Sequence, residues 1–194
     1  MSTTVVIGGT AGLGRFIAQR HADRGDKVFI AGRDAARAAS VAKEIGADTT
    51  GLGLDLARPE SIAGALAAIE AVDHMVITAA FQRPNTLKDL NLPEAVTAVT
   101  TKVVGYAEAV RALHDRFTPV GSVVLFGGLA KERPYPGSTI ITTFNSAVTG
   151  LVKTLAVEIA PHRVNALHPA LVATAPAGRT STSGTWLPVR RSAA

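Results

Sequence analysis

The chain has 194 residues, of which 47% are hydrophobic, and this is enough to bury the core of one domain. It contains no cysteine, so disulfides, thiolate metal sites and thiol nucleophiles are excluded. The formal net charge of +5 depends largely on arginines in a C-terminal tail that has no Asp or Glu, and no run of basic and aromatic residues indicates a nucleic-acid surface.

Short apolar, β-branched segments alternate along the chain with longer segments of helical period. Strands are predicted at "TTVVIG", "KVFIAG", "TTGLGLDL", "VDHMVITAA", "GSVVLFGG" and "RVNALHPA". Helices are predicted between them, beginning near Gly12, Asp34 and Pro59 and covering residues 92–117 and 139–160. Because crossovers between parallel strands are right-handed, this order predicts an α/β fold with a doubly wound parallel sheet of about six strands.

The C-terminal segment "PAGRTSTSGTWLPVRRSAA" has no secondary-structure period and is rich in Pro, Gly, Ser and Thr. We therefore predict one domain over residues 1–175 and a tail or reduced substrate lid over residues 176–194. The N-terminus lacks the basic and apolar regions of a signal peptide, and no segment has the run of about 18 apolar residues that a spanning helix needs. The sequence predicts a cytoplasmic protein without membrane or nucleic-acid partners.

A glycine-rich turn, "VVIGGTAGLGRFIA", joins the first strand to the first helix. Gly8, Gly12 and Gly14 suit a tight turn, a close approach of the backbone to a pyrophosphate, and close packing of helix on sheet. Leu13, between the last two glycines, belongs to the same candidate site, where N–H groups at the helix N-terminus hold phosphates. The turn predicts a dinucleotide site; the alternative is a tight turn without a ligand.

The second strand ends in "IAGRD", which places Arg33 where an NAD-specific protein usually has an acid. A guanidinium can pair with the 2′-phosphate of NADP through two hydrogen bonds. Asp34 is explained as a helix N-cap, and Thr10 and Arg37 can add a hydroxyl and a second charge. The pattern favours NADP over NAD, the alternative being that Arg33 is only a surface charge.

With these features the sequence resembles the short-chain dehydrogenase/reductase family over residues 3–174. The resemblance rests on "GGTAGLG", "LDL", "VITAA" and "RVNALHPALVAT". It implies a Rossmann-like fold that lacks the family's last strand because the chain is short, and further residues that contact the cofactor. Those residues are Asp55 and Leu56 by the adenine, Ala79 and Ala80 by the adenosine ribose, and Pro169, Leu171, Val172 and Thr174 beside the nicotinamide.

The family's usual catalytic residues are Ser, Tyr-x-x-x-Lys and an Asn, with the tyrosine as general acid. Aligned on "SAVTGL", this sequence has Gly128 for the serine, Ile141 for the tyrosine, Asn145 for the lysine and Lys102 for the asparagine. Lysine and asparagine are thus exchanged between two helices that face each other in the family. The resemblance implies an atypical site in which Lys102 binds the nicotinamide ribose and Asn145 orients Lys102.

Tyr135, in the loop "GGLAKERPYPG", is a candidate substitute for the missing acid; the alternative is a packing residue. His168, beside Pro169, is interpreted as a structural histidine and not as a catalyst. The remaining histidines have no spacing that indicates a metal, so we expect none.

Three functions remain open at this point. The favoured one is an NADP-dependent oxidoreductase for a small carbonyl or alcohol, although loss of a general acid typically lowers a rate by about 10² to 10⁴. The second is a protein that binds NADP(H) without turnover, as a sensor or a partner subunit, and the third is a non-redox isomerase or cyclase. The resemblance also implies a homodimer or homotetramer built on the helices of residues 92–117 and 139–160.

Overall fold

A parallel β-sheet forms the centre of the fold in the computed structural model, which describes residues 1–46, 48–79 and 83–170. The strands are β1 (Thr3–Ile7), β2 (Lys27–Gly32), β3 (Thr49–Gly53), β4 (Val72–Ile77), β5 (Phe117–Phe126) and β6 (Arg163–Leu167). Their order in the sheet is β3-β2-β1-β4-β5-β6, and every neighbouring pair is parallel. The predicted doubly wound α/β fold is confirmed, with its switch point between β1 and β4.

Helices cover both faces of this sheet. They are α1 (Gly12–Ala22), α2 (Ala35–Ile45), α3 (Pro59–Ala65), α4 (Leu92–Val99), α5 (Gly105–Leu113) and α6 (Thr139–Glu158). Because alternate residues of a strand point to opposite faces, Val6 packs in the core cluster of α1 and α2, whereas Val5 and Ile7 pack in the cluster of α3, α5 and α6. The carboxyl ends of the strands are left to form one crevice.

The predicted helix of residues 92–117 is divided in the structure. A π-helical segment, Thr100–Val104, separates α4 from α5, and a 3₁₀ turn, His114–Arg116, follows α5. The π-helical segment carries Lys102, and insertions of this kind are frequent at functional sites. Strand β5 also begins earlier than predicted, because Phe117 pairs with Val72 across a register shift.

Helix α6 is 20 residues long and apolar enough to cross a membrane by length and composition, so the prediction that no segment would qualify is wrong. Length and hydropathy do not separate a spanning helix from a core helix of a globular domain. Its residues Val148 and Leu155 pack in the same core cluster as Val5 and Ile7 of β1. The predicted boundary at residue 175 and the tail of residues 176–194 lie outside the described residues.

Gly105 opens α5 at a close approach to the loop after β3. A Cβ built on Gly105 would lie well inside contact distance of the Leu56 carbonyl oxygen and 2.9 Å from the Leu56 Cβ. A residue with a side chain can be accommodated here only if α5 or the loop that carries Leu56 shifts.

We therefore expect Gly105→Ala to lower the free energy of unfolding by about 1 to 3 kcal/mol, measured by urea denaturation. Gly64→Ala is the matched control, because Gly64 is helical and exposed and a Cβ there would meet nothing within 4 Å. This control should raise the stability by up to about 1 kcal/mol. Equal stability of wild type and Gly105→Ala would contradict the assigned contact.

Candidate functional site

The glycine turn after β1 lies directly against the end of β4. Gly8 has a φ of +90°, and a Cβ on it would lie 2.6 Å from the Thr78 Oγ1 and 2.7 Å from the Ala79 nitrogen. A Cβ on Gly14 would lie 2.5 Å from the same Thr78 Oγ1. Both glycines are therefore required by close packing of turn, helix and strand. The sequence analysis did not single out Thr78, whose hydroxyl donates to the Gly8 carbonyl oxygen at 3.3 Å. Thr78 directly follows β4 and lies against both the glycine turn and the start of α1.

The N-terminus of α1 is suited to an anion. Gly12 is its first residue and Leu13 its second; no side chain caps it, and its first turn has no acidic residue. By contrast, side-chain oxygens of Asp34 and Asn91 cap α2 and α4. Free N–H groups and the helix dipole favour a phosphate at this end of α1. This uncapped terminus fits the pyrophosphate of a dinucleotide.

At the end of β2, a carboxylate caps the next helix while two arginine side chains are exposed. Asp34 accepts a hydrogen bond from the Arg37 backbone N–H at 3.0 Å, which confirms its predicted role as N-cap. Arg33 and the Arg37 side chain are exposed. Thr10 lies over the end of the strand, since a Cβ on Gly32 would be 2.8 Å from the Thr10 Cγ2. A hydroxyl and two guanidinium groups thus lie near the edge of the crevice where an adenosine phosphate would bind.

Asp55 and Leu56 follow β3 at the same edge. The Asp55 Oδ1 accepts from the Ala57 backbone N–H at 3.0 Å, so this carboxylate fixes its own turn and keeps its second oxygen for other partners. The Leu56 side chain is only 3% exposed and packs in the core. Leu56 can therefore contribute to an adenine pocket through its backbone, whereas Asp55 can contribute through its side chain.

Lys102 lies at the closed end of the crevice with its ammonium group in the protein interior. The residue is 2% exposed, and its Nζ donates to the Phe126 carbonyl oxygen at 2.5 Å and to the Tyr106 hydroxyl at 2.9 Å. The expected contact with Asn145 is not formed: no hydrogen bond joins Lys102 to Asn145 within the described ranges. Burial lowers the pKa of Lys102 from 10.5 to about 7.

Tyr106 completes this polar group and was missed by the sequence analysis. It is fully buried, and its hydroxyl lies 2.8 Å from the Ala79 carbonyl oxygen and 3.2 Å from that of Phe126. Burial also raises the pKa of Tyr106, so the phenol remains protonated. The spacing Lys-x-x-x-Tyr, one helical turn, was the available signal in "TKVVGY".

Asn145 and Ile141 occupy buried positions on α6. A Cβ on Gly128 would lie 2.8 Å from the Asn145 Nδ2, so the amide fills space that a serine at position 128 would need. Ile141 is 9% exposed and packs with Ala98 and Phe144 in a small apolar cluster. None of Gly128, Ile141 and Asn145 therefore offers a group that donates a proton as an acid.

The remaining predicted residues lie in the loops around the crevice. Tyr135 is 42% exposed, and its backbone forms a turn with Ser138, the N-cap of α6. The Pro169 carbonyl oxygen accepts from the Leu129 N–H at 3.0 Å, and the His168 Nε2 lies 3.3 Å from the Thr149 Oγ1. Ala79 is half-buried at the end of β4. Ala80, Leu171, Val172 and Thr174 lie outside the described residues.

The lowered pKa of Lys102 predicts a pH-dependent stability. Between about pH 7 and pH 10.5 the unfolded chain binds a proton at this lysine that the folded chain has lost, so stability rises with pH in that window. Relative to Lys102→Met, the free energy of unfolding of the wild type should rise by up to about 1.4 kcal/mol per pH unit. Urea denaturation of both proteins at several pH values measures this.

Lys153→Met is the matched control, because Lys153 is an exposed lysine of α6. Its stability relative to the wild type should be the same at each pH. Parallel profiles for the wild type and Lys102→Met would show that Lys102 does not carry the proposed proton.

Comparisons with known proteins agree with this geometry. The family model described as short chain dehydrogenase matches residues 2–183. The chain is 27% identical over 177 residues to the 3-oxoacyl-[acyl-carrier-protein] reductase of Bos taurus, covering 87% of this chain and 75% of the relative. A crystal structure of a dehydrogenase/reductase from Sinorhizobium meliloti 1021 superposes with a TM-score of 0.81 and 27% identity, covering 89% of this chain and 73% of that one.

A crystal structure of BdcA in complex with NADPH shares the fold, with a TM-score of 0.79 and 21% identity over 87% of this chain and 70% of that one. Within the described ranges, no group of three or more His, Asp or Glu side chains is placed to hold a metal ion. The matched family model covers nearly the whole chain, and the sheet order, glycine turn and crevice are those expected from it. The chain belongs to the short-chain dehydrogenase/reductase family of oxidoreductases.

Proposed function

We propose that this protein binds NADP(H) and is an oxidoreductase that interconverts a small carbonyl compound and its alcohol through an atypical active site. The observation that carries the cofactor preference is the end of β2, where Asp34 is engaged as a helix cap while Arg33 remains exposed. An acid free to bind the ribose would favour NAD, whereas a free guanidinium favours a 2′-phosphate. Thr10 and Arg37 support the same preference.

Several residues of this chain would hold the cofactor. The backbone of Gly8, Gly12, Leu13 and Gly14 suits the pyrophosphate, and Asp55 and Ala79 suit the adenosine, with Pro169 at the opposite end of the crevice. We also assign Ala80, Leu171, Val172 and Thr174 to this site from their motif positions. When bound, the nicotinamide supplies or accepts the hydride.

The protein side chains must then supply the proton and stabilise the charge on the substrate oxygen. Ile141 cannot do so, and this absence favours a slow enzyme or a specialised substrate. Tyr135 offers an exposed phenol on the loop after β5, and we assign it the role of acid. Lys102 acts through its charge from inside the protein; binding of the ribose by Lys102 and orientation by Asn145 both remain proposals, and its present partners are the Phe126 carbonyl and Tyr106.

The alternative function is a protein that binds NADP(H) without turnover, as a sensor or as the partner subunit of an active relative. The apolar cluster around Ile141 and the withdrawal of the Lys102 amine into the core favour this alternative. Both functions use the same glycine turn and Arg33, so they differ in chemistry and not in cofactor binding.

We also propose that the protein is cytoplasmic and forms a homodimer or homotetramer through α4, α5 and α6. Large apolar side chains are exposed on these segments: Leu92 and Val96 of α4 at 66% and 65%, Val104 of the π-helical segment at 50%, and Val157 of α6 at 77%. Exposed side chains of this kind supply the apolar area that a subunit interface buries.

The cofactor assignment predicts the behaviour of Arg33→Ala in calorimetric titrations. We expect NADPH affinity to fall by about 10- to 100-fold, because a charge-assisted pair with the 2′-phosphate is lost, while NADH affinity stays within about twofold. Arg24→Ala is the matched control, since Arg24 is an exposed arginine in the turn that precedes β2. Unchanged NADPH affinity in Arg33→Ala would contradict the assignment.

The catalytic assignment predicts oxidation of NADPH by members of a panel of small ketones and aldehydes, followed through the loss of NADPH fluorescence. Tyr135→Phe should lower kcat by about 10²-fold or more, with NADPH affinity unchanged, because only the acid is removed. Tight binding of NADPH with no turnover of any carbonyl compound would instead support the non-catalytic alternative.

A further inference from the structure

A buried amine and a buried phenol share one set of backbone carbonyl groups where β4 and β5 end. The Lys102 Nζ donates to the Phe126 carbonyl oxygen at the end of β5, and the Tyr106 hydroxyl lies 2.8 Å from the carbonyl oxygen of Ala79, just after β4. Because Tyr106 has one proton, it can donate to Ala79 while its oxygen accepts from the Lys102 Nζ at 2.9 Å. The phenol therefore fixes the position of the amine.

Within the described ranges, the charge on this amine is not neutralised by an ion pair, because no carboxylate there lies within salt-bridge distance of the Lys102 Nζ. Strand β5 presents the Phe126 carbonyl oxygen to it, α5 presents the Tyr106 hydroxyl, and α6 presents the Phe144 ring, whose centroid is 5.9 Å from the Nζ. The titratable groups that face it in the described ranges are Tyr106 and, at the end of β6, His168. A proton on Lys102 thus places a net positive charge in the floor of the crevice.

The location of this charge relative to the cofactor follows from the sheet topology. A dinucleotide crosses a doubly wound sheet at its switch point, here between β1 and β4. Arg33 and the uncapped α1 mark the β2 and β1 side as the adenosine and pyrophosphate half. The ends of β4 and β5 therefore belong to the nicotinamide half.

We propose that Lys102 holds one exchangeable proton beneath the nicotinamide half of the crevice, that Tyr106 is its positioning residue, and that this proton makes the site favour NADPH over NADP⁺. The inference rests on the proposed NADP(H) function. The oxidised nicotinamide ring is a cation and the reduced ring is neutral, so a buried ammonium repels only the oxidised form. Binding of NADP⁺ then releases a proton from the Lys102 ammonium to the buffer, and no covalent bond other than this N–H is broken.

The pKa of Lys102 agrees with the role that its buried position indicates. Burial without an ionic partner lowers the pKa of Lys102 to about 7, so the proton can be released near neutral pH by a modest repulsion. His168 has a pKa below its usual value, chiefly through burial and also through the positive charges of Lys131 and Lys102. The histidine is therefore largely neutral where Lys102 titrates.

The test compares the affinities of NADP⁺ and NADPH between pH 6 and pH 9 by calorimetry. The ratio of Kd for NADP⁺ to Kd for NADPH should fall by about 10-fold as the pH rises through about 7, since loss of the proton removes the repulsion. Titration of the 2′-phosphate cancels in this ratio, because both nucleotides carry it. Titrations in buffers of different ionisation enthalpy should show that NADP⁺ releases more protons than NADPH at neutral pH.

Two variants at position 102 fix the charge of this side chain, one at zero and the other at +1. Lys102→Met should give a low ratio that does not change with pH and no extra proton release, whereas Lys102→Arg should give a high ratio at every pH because arginine stays charged. Tyr106→Phe, which keeps the ring, should move the midpoint of the ratio to lower pH, because the ammonium loses an acceptor. His168→Gln should keep the midpoint of the wild type.

The outcomes separate the two proposals. A ratio that does not depend on pH in the wild type, a dependence that persists in Lys102→Met, or one that disappears in His168→Gln would each overturn the role of Lys102 while leaving NADP(H) binding intact. Failure of the wild type to bind either nucleotide would overturn the proposed function and this inference with it. If Lys102→Met does not fold, Tyr106→Phe provides the test. A midpoint shifted to lower pH supports the role of Lys102, and an unshifted midpoint overturns it.

Discussion

The close approach of the glycine turn to the end of β4 is the constraint on which the site depends. Gly8 and Gly14 have no Cβ, and Thr78 occupies the space that this leaves. The contact brings the N-terminus of α1 to the switch point between β1 and β4, where a phosphate can reach its free N–H groups. It also fixes the backbone of Ala79, whose carbonyl oxygen accepts from Tyr106. The pyrophosphate half and the nicotinamide half of the crevice therefore meet at this contact.

Beyond that boundary, the catalytic half of the crevice is rebuilt by substitutions that fit one another. The absence of a side chain at Gly128 makes room for the Asn145 amide, and Ile141 joins Ala98 and Phe144 in an apolar cluster. The Nζ of Lys102, which is placed on a π-helical segment, donates to the Phe126 carbonyl oxygen at the end of β5 and forms no hydrogen bond with Asn145 of α6. The lysine is therefore held by a tyrosine of its own helix, which reverses the usual order of the family's two residues.

Local patterns were enough to predict much of this molecule. Alternation and helical period predicted the six strands and the helices between them, because each segment shows its buried face in its own residues. Asp34 was predicted as a cap because capping depends on residues three positions apart. The site was harder, since the position of Lys102 depends on the Phe126 carbonyl oxygen at the end of β5 and on Tyr106, which donates to the Ala79 carbonyl oxygen after β4.

The absence of a hydrogen bond between Lys102 and Asn145 in the structure has the same physical reason. The family pattern places the two residues on facing helices, but it does not show which neighbours compete for the amine. Phe126 and Tyr106 satisfy two donors of the Nζ. The π-helical segment changes the direction of side chains around position 102, and no periodic pattern in "TTKVV" indicates it.

The contact between Gly128 and Asn145 has an evolutionary consequence. A serine at position 128 would place a Cβ 2.8 Å from the Asn145 Nδ2, so the Asn145 amide has to move to admit it. The residue at position 145 therefore affects the cost of a change at position 128, and the two positions do not vary independently. Such epistasis means that the order in which the two positions change decides which intermediate sequences keep a well-packed site.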